Sequence, residues 1–195
     1  MTSEIYKYIP QEASKLVDEL IQKHPFELKI KNNRKTKHGD FRTAPNGILK
    51  ISINKDLNKY RFLITLIHEI AHLIAYKKFG FIKPHGKEWK LIFKQLMLPF
   101  LNDEIFPSEI LSPLANYLIN PKARTDADLN LSLALRRYDE KTDKKLIFEI
   151  ERGTLFAHNK RVYRKGVKRR TRYECTEIKT QKKYLFQQNA EVNCV

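Results

Sequence analysis

Apolar positions first recur at helical spacing across residues 10–24, PQEASKLVDELIQKH, where Ala13, Leu16, Val17, Leu20 and Ile21 share one face. Pro10 and Pro25 punctuate its ends, which predicts an amphipathic helix. The period drops to two at Phe26-Glu27-Leu28-Lys29-Ile30, as a half-buried strand requires. A second strand is expected within residues 37–43, broken at His38-Gly39-Asp40. A third carries Ile48, Leu49, Ile51 and Ile53 after the turn signal Pro45-Asn46-Gly47. Together they predict a short antiparallel sheet, with residues 48–53 as the edge able to hold an extended peptide. An apolar run then predicts a central helix, capped by Asn54 or Asp56, running to about Phe79 and stopped by Gly80. Trp89, Ile92, Phe93 and Leu96 place another helix over residues 85–98. Two short helices follow at 108–119, which contains Pro113, and at 126–138.

From Lys145 the pattern changes to short alternating segments separated by Gly153, Asn159-Lys160 and Gly166. Such spacing predicts a small antiparallel β unit. Phe148, Phe156, Tyr163, Tyr173, Tyr184 and Phe186 are its expected core. The fold class is therefore α+β, with a mainly helical domain over residues 1–140 and a basic β-rich unit over 141–195.

Two histidines interrupt the apolar run of the central helix, in His68-Glu69-Ile70-Ala71-His72. A helix turns about 100° per residue, so residues four apart lie nearly one above the other. His68 and His72 would present two imidazoles spaced to grip one metal ion. Glu69 projects to the side and is better placed as a base acting on water than as a third ligand. Buried without a metal, these groups would cost several kcal/mol unless hydrogen-bonded to one another.

Catalytic zinc takes three protein ligands. The residues after His72 are Leu73, Ile74, Ala75 and Tyr76, so no third histidine follows at the metzincin spacing. Downstream, Pro84-His85-Gly86 and Glu88 offer candidates; His85 is the first choice and Glu88 the second. His38, alone in a loop, is left outside the site. A three-histidine set favours zinc among first-row ions.

His68-Glu69-x-x-His72, a gap of 12 residues, and His85-Gly86-x-x-Trp89 resemble the SprT-like (Spartan) zinc metalloproteases over about residues 5–100. The resemblance implies a zincin-type metalloprotease domain with a single zinc held by His68, His72 and His85, and Glu69 as the catalytic glutamate. It also implies proteins bound or crosslinked to DNA as substrates. Many such proteins end in a zinc ribbon built on two C-x-x-C pairs. This chain has only Cys175 and Cys194, so its tail is expected to be ribbon-like in shape but held by apolar residues.

Charge points to a polyanionic partner. The 195 residues carry a net charge of +16, and 15 basic against 6 acidic residues fall from Lys141 onward, compared with 23 against 16 before it. Arg161, Arg164, Lys165, Lys168, Arg169, Arg170 and Arg172, with Tyr163 and Tyr173 among them, read as a nucleic-acid surface; a solubilising basic face is the plainer reading. No apolar run reaches the roughly 18–20 residues of a membrane helix. The N-terminus lacks a signal-peptide pattern, and two distant cysteines make no disulfide framework, so a cytoplasmic protein is expected. A nucleic-acid-binding module with a structural or vestigial metal site is the alternative to a peptidase.

Overall fold

The structure is a computed structural model that describes residues 2–34 and 36–195. The chain divides into two compact units. One holds Met1–Thr125 and Ala134–Asp139, the other Asp126–Leu133 and Glu140–Val195.

In the first unit, a short helix α1 (Thr2–Ile5) precedes the amphipathic segment. That segment forms a 3-10 turn at Gln11–Ala13 running into α2 (Ser14–Lys23), with Ala13 and Val17 fully buried. Strands β1 (Glu27–Lys31), β2 (Gly39–Thr43) and β3 (Leu49–Asn54) make a three-stranded sheet in the order β1-β3-β2.

Two expectations are corrected here. The sheet is mixed, because β1 runs parallel to β3 while β2 runs antiparallel to it. Residues 48–53 are also not an edge, because β3 is the central strand with Ile51 and Ile53 fully buried. An alternating pattern reports that one face is covered; it carries no record of how many neighbours bond to the strand's sides. The edges are β1 and β2.

The long helix α3 (Lys59–Phe79) begins at Asn58, whose side-chain oxygen accepts from the N–H groups of Tyr60 and Arg61. Asn54 and Asp56 are not the cap. Asn54 is buried instead, and its amide donates to the carbonyls of Arg34 and Lys37. Gly80, at φ 68, ends the helix and donates its N–H to Tyr76. Residues Arg61–Ala71 are buried all round, the mark of a helix at the centre of a core. On α4 (Lys87–Met97), Trp89, Ile92, Phe93 and Met97 are buried, and the helix packs on α3. Helix α5 (Ser108–Ile119) accommodates Pro113, and α6 (Leu129–Arg136) starts where Asp128 accepts from the N–H of Leu131.

The second unit holds β4 (Lys145–Leu146), β5 (Leu155–His158), β6 (Arg161–Lys168), β7 (Arg172–Glu177), β8 (Lys183–Gln187) and β9 (Glu191–Cys194). They form one sheet in the order β4-β9-β5-β6-β7-β8, with every neighbouring pair antiparallel. Its core is Ile147, Ile150, Phe156, Tyr163, Cys175 and Val192, flanked by Tyr173, Tyr184 and Phe186. Phe148 is 37% exposed and does not belong to that core. The segment from Ile147 to Glu149 is a 3-10 turn, so residues three apart point the same way and Ile147 and Ile150 turn inward in its place. Cys175 is buried and Cys194 exposed, both as free thiols. No helix among the described residues is long and apolar enough to cross a membrane.

Candidate metal centre

His68 and His72 lie one turn apart on α3, with their Nε2 atoms 3.2 Å from each other. His85 comes back to them from the loop before α4. Its Nε2 stands 3.1 Å from that of His68 and 3.0 Å from that of His72. The backbone makes this return by adopting φ 58 at His85. Gly86 follows in a tight turn, its N–H bonded to the carbonyl of Lys83, where a Cβ would stand 2.9 Å from that oxygen. The turn thus requires the glycine at 86, while His85 holds a left-handed backbone that brings its ring back to the other two.

The triangle of nitrogens suits a cation. Each Nε2 has one in-plane site, either a lone pair or a hydrogen, so three of them meeting at one point cannot all pair with one another. An ion about 2.0–2.1 Å from each nitrogen in tetrahedral geometry sets the nitrogens roughly 3.3 Å apart, close to the observed spacing. His68, His72 and His85 are the one group of three or more potential ligands of this kind among the described residues. Glu88, which is exposed, lies outside it, and so does the half-buried His38, whose carbonyl accepts from the N–H of Asn54. Burial pushes all three imidazoles below their ordinary range: His68 well below, His72 down to about 4, and His85 in the same direction. They are held in the neutral form that ligates metal.

Trp89 forms the wall behind the three rings. Its centroid lies 4.5 Å from that of His68, 5.1 Å from His72 and 4.7 Å from His85, and Phe93 stacks on it at 5.0 Å. Trp89 is fully buried, and its indole nitrogen makes no hydrogen bond among the described residues.

Glu69 is buried on the flank of α3 that packs against β2. The backbone N–H of Phe41 donates to its carboxylate. Burial, with a smaller contribution from the carboxylate of Asp40, pushes its pKa up to about 8; the Phe41 N–H, Arg34 and Lys37 pull the other way. A Cβ on Gly39 would fall 2.6 Å from Oε1 of Glu69. Sequence reasoning assigned no role to Gly39 or Phe41. Their one trace in the sequence is a glycine at the break in the strand pattern, His38-Gly39-Asp40.

The basic residues of the second unit do not act alike. Lys165 is buried; its ammonium donates to the carbonyl of Ile150 and lies 4.2 Å from the centroid of the Tyr173 ring. It cannot meet a phosphate, because it points to the inward face of β6 with Tyr163. Arg169 pairs with Glu174 at 2.6 Å, and Arg161 with Glu177 at 3.6 Å. Arg164, Lys168, Arg170 and Arg172 are exposed.

Comparison with known proteins bears on the first unit. The SprT-like family matches residues 8–106. A Protein SprT from Glaesserella parasuis is 53% identical over 30 residues, covering 15% of this chain and 19% of that protein. One from Yersinia pseudotuberculosis is 44% identical over 41 residues, 20% of this chain and 24% of its own length. One from Shigella boydii is 40% identical over 52 residues, 25% and 32% respectively. The chain thus spans less than a third of the length of these relatives. No solved structure matches.

Proposed function

Because this chain belongs to the SprT-like family, a metallopeptidase-like family, we propose that it is a zinc-dependent endopeptidase acting on proteins bound or crosslinked to DNA. The observation that carries the reading is the convergence of three neutral imidazoles beside a buried glutamate. His68, His72 and His85 would hold one zinc ion. Zinc supplies Lewis acidity, polarising a carbonyl and bringing the pKa of water down to about 7. Glu69 takes the proton from the attacking water and passes it to the departing amine. With a dication held by the three histidines, Glu69 would be drawn toward its ionised form, against the burial that raises its pKa. Strand β2 is a sheet edge beside Glu69, so an extended substrate would pair with it rather than with β3.

The catalytic domain is assigned to residues 1–140 and a nucleic-acid-contacting unit to 141–195. The exposed Arg164, Lys168, Arg170 and Arg172 support DNA contact, as does the +16 net charge. Two free thiols suit the reducing cytoplasm.

The test is metal content of the purified protein and of His85→Ala, with Trp89 as a second readout. Trp89 is the sole tryptophan and lies against all three imidazoles, so cobalt should quench its fluorescence at one equivalent. One zinc per chain, lost in His85→Ala, together with cleavage of a DNA-bound protein, is the expected result. Stoichiometric zinc without cleavage of any protein, with or without DNA, would favour a binding module with a structural metal site.

A further inference from the structure

A line of aromatic side chains runs outward from Glu69 and takes no part in holding a metal. Phe41 on β2 lies 5.8 Å from Tyr76 between ring centroids, and Tyr76 lies 5.5 Å from Phe81. Tyr76 is one helical turn past His72 on α3. Phe41 gives its backbone N–H to Glu69, so the line begins at the carboxylate. It ends at Phe81, which is 97% exposed, while Phe41 and Tyr76 are half-buried. A phenyl ring left in water beside other rings keeps apolar surface that a partner can cover.

The sheet supplies the direction from which that partner comes. Gly39 meets Thr65 and Glu69 of α3, so Gly39, Phe41 and Thr43 share the face of β2 that looks onto the helix. An extended peptide pairing with the outer edge of β2, through the main-chain groups that Glu69 leaves open there, would send alternate side chains to that same face. There they meet Phe41, Tyr76 and Phe81. Resting on the peptidase reading, we infer that these three rings form a subsite for a large apolar or aromatic side chain of an extended peptide. Folded proteins bury such side chains and unfolded segments display them. The subsite therefore selects unfolded polypeptide.

Lys77, Lys78 and Lys83 flank Phe81 and are exposed, a combination nucleic acid also uses. A stacking platform for bases needs free ring faces, however, and only Phe81 of the three has them. Phe41 and Tyr76 are half-buried and tilted at 54° to one another, an arrangement that suits contact with a side chain better than base stacking.

The experiment uses fluorescein-labelled decapeptides that differ at one position, Phe, Leu, Ala or Asp. They are titrated into zinc-loaded Glu69→Gln protein by anisotropy and offered in parallel to the wild type for cleavage. The Phe and Leu peptides should bind about tenfold more tightly than the Ala and Asp peptides, the discrimination an apolar pocket gives. Phe81→Ala, at an exposed position where folding is not at risk, should cut that ratio to about threefold or less. Equal affinities for all four peptides, or a ratio untouched by Phe81→Ala, overturns the subsite. If Phe81→Ala weakens a labelled oligothymidylate and leaves the peptide ratio alone, the loop belongs to nucleic acid and the inference fails. Selective binding without cleavage by the wild type would overturn the peptidase reading and keep the subsite; cleavage without selectivity does the reverse.

Discussion

Gly39 and Glu69 occupy one another's space: a Cβ on the glycine would stand 2.6 Å from Oε1 of the glutamate and 2.8 Å from its Cγ. Thr65 closes the same spot, with Cγ2 at 2.7 Å. The carboxylate therefore sits flush against the backbone of β2, where the N–H of Phe41 reaches it.

Gly39→Ala should move the Glu69 carboxylate without touching the histidines. A shift approaching 1 Å at a reacting group costs on the order of 10²-fold in rate. The expected variant keeps its zinc, loses about 1–3 kcal/mol of stability to overpacking, and shows kcat/KM reduced by about 10²-fold. Undiminished kcat/KM in a folded Gly39→Ala protein would mean that the position of Glu69 does not matter.

Glu69→Gln preserves shape and removes the ability to accept a proton. Cleavage should fall by about 10²–10⁴-fold, the usual contribution of general acid–base catalysis, while zinc content stays at one per chain. Proteolysis at the wild-type rate would remove Glu69 from the chemistry.

The metal-free protein should be most stable near pH 6.5 as far as this site is concerned. His68, His72 and His85 are held below their ordinary 6.5, His72 to about 4. Between about pH 4 and 6.5 the unfolded chain binds more protons, so stability rises with pH. Glu69, raised from 4.5 to about 8, works in the opposite sense. Its contribution is complete below pH 4.5 and is lost as pH rises toward 8. Three imidazoles outweigh one carboxyl below pH 6.5, and above it only Glu69 remains. Melting temperatures of the metal-free protein from pH 4 to 8 should rise and then decline, with the decline absent in Glu69→Gln. A wild-type melting temperature still climbing from pH 6.5 to 8 would contradict a buried, protonated Glu69.

Charge removal should separate the basic residues of the second unit into two groups. Replacing Arg164, Lys168, Arg170 and Arg172 by Ala should weaken oligonucleotide binding and flatten its salt dependence, by about 0.7 per lost phosphate contact for a single strand. Lys165→Ala instead leaves the Ile150 carbonyl without its partner, and should cost about 1–3 kcal/mol of stability with the salt slope retained. Isothermal titrations at several salt concentrations and thermal melts read both. A salt slope unchanged in the fourfold variant would place any nucleic-acid contact elsewhere.

Helical spacing alone put His68 and His72 on one face, because α-helical geometry is local and four residues make one turn. The apolar run of α3, the stop at Gly80 and the β character of the tail were legible for the same reason: each follows from the residues within one element. His85 could be named as a ligand candidate, but its return to the pair depends on the left-handed backbone at His85 and the Lys83–Gly86 turn. The strand order, the placement of β2 over Glu69 and the inward turn of Lys165 were decided by tertiary packing. A period of two says which side chains share a face; which neighbour covers that face, and whether the strand's own edge is paired, depends on segments distant in sequence. The spacing of His68 and His72 was therefore written in the helix, while the strand beside Glu69 was fixed only when β1 and β2 took opposite sides of β3.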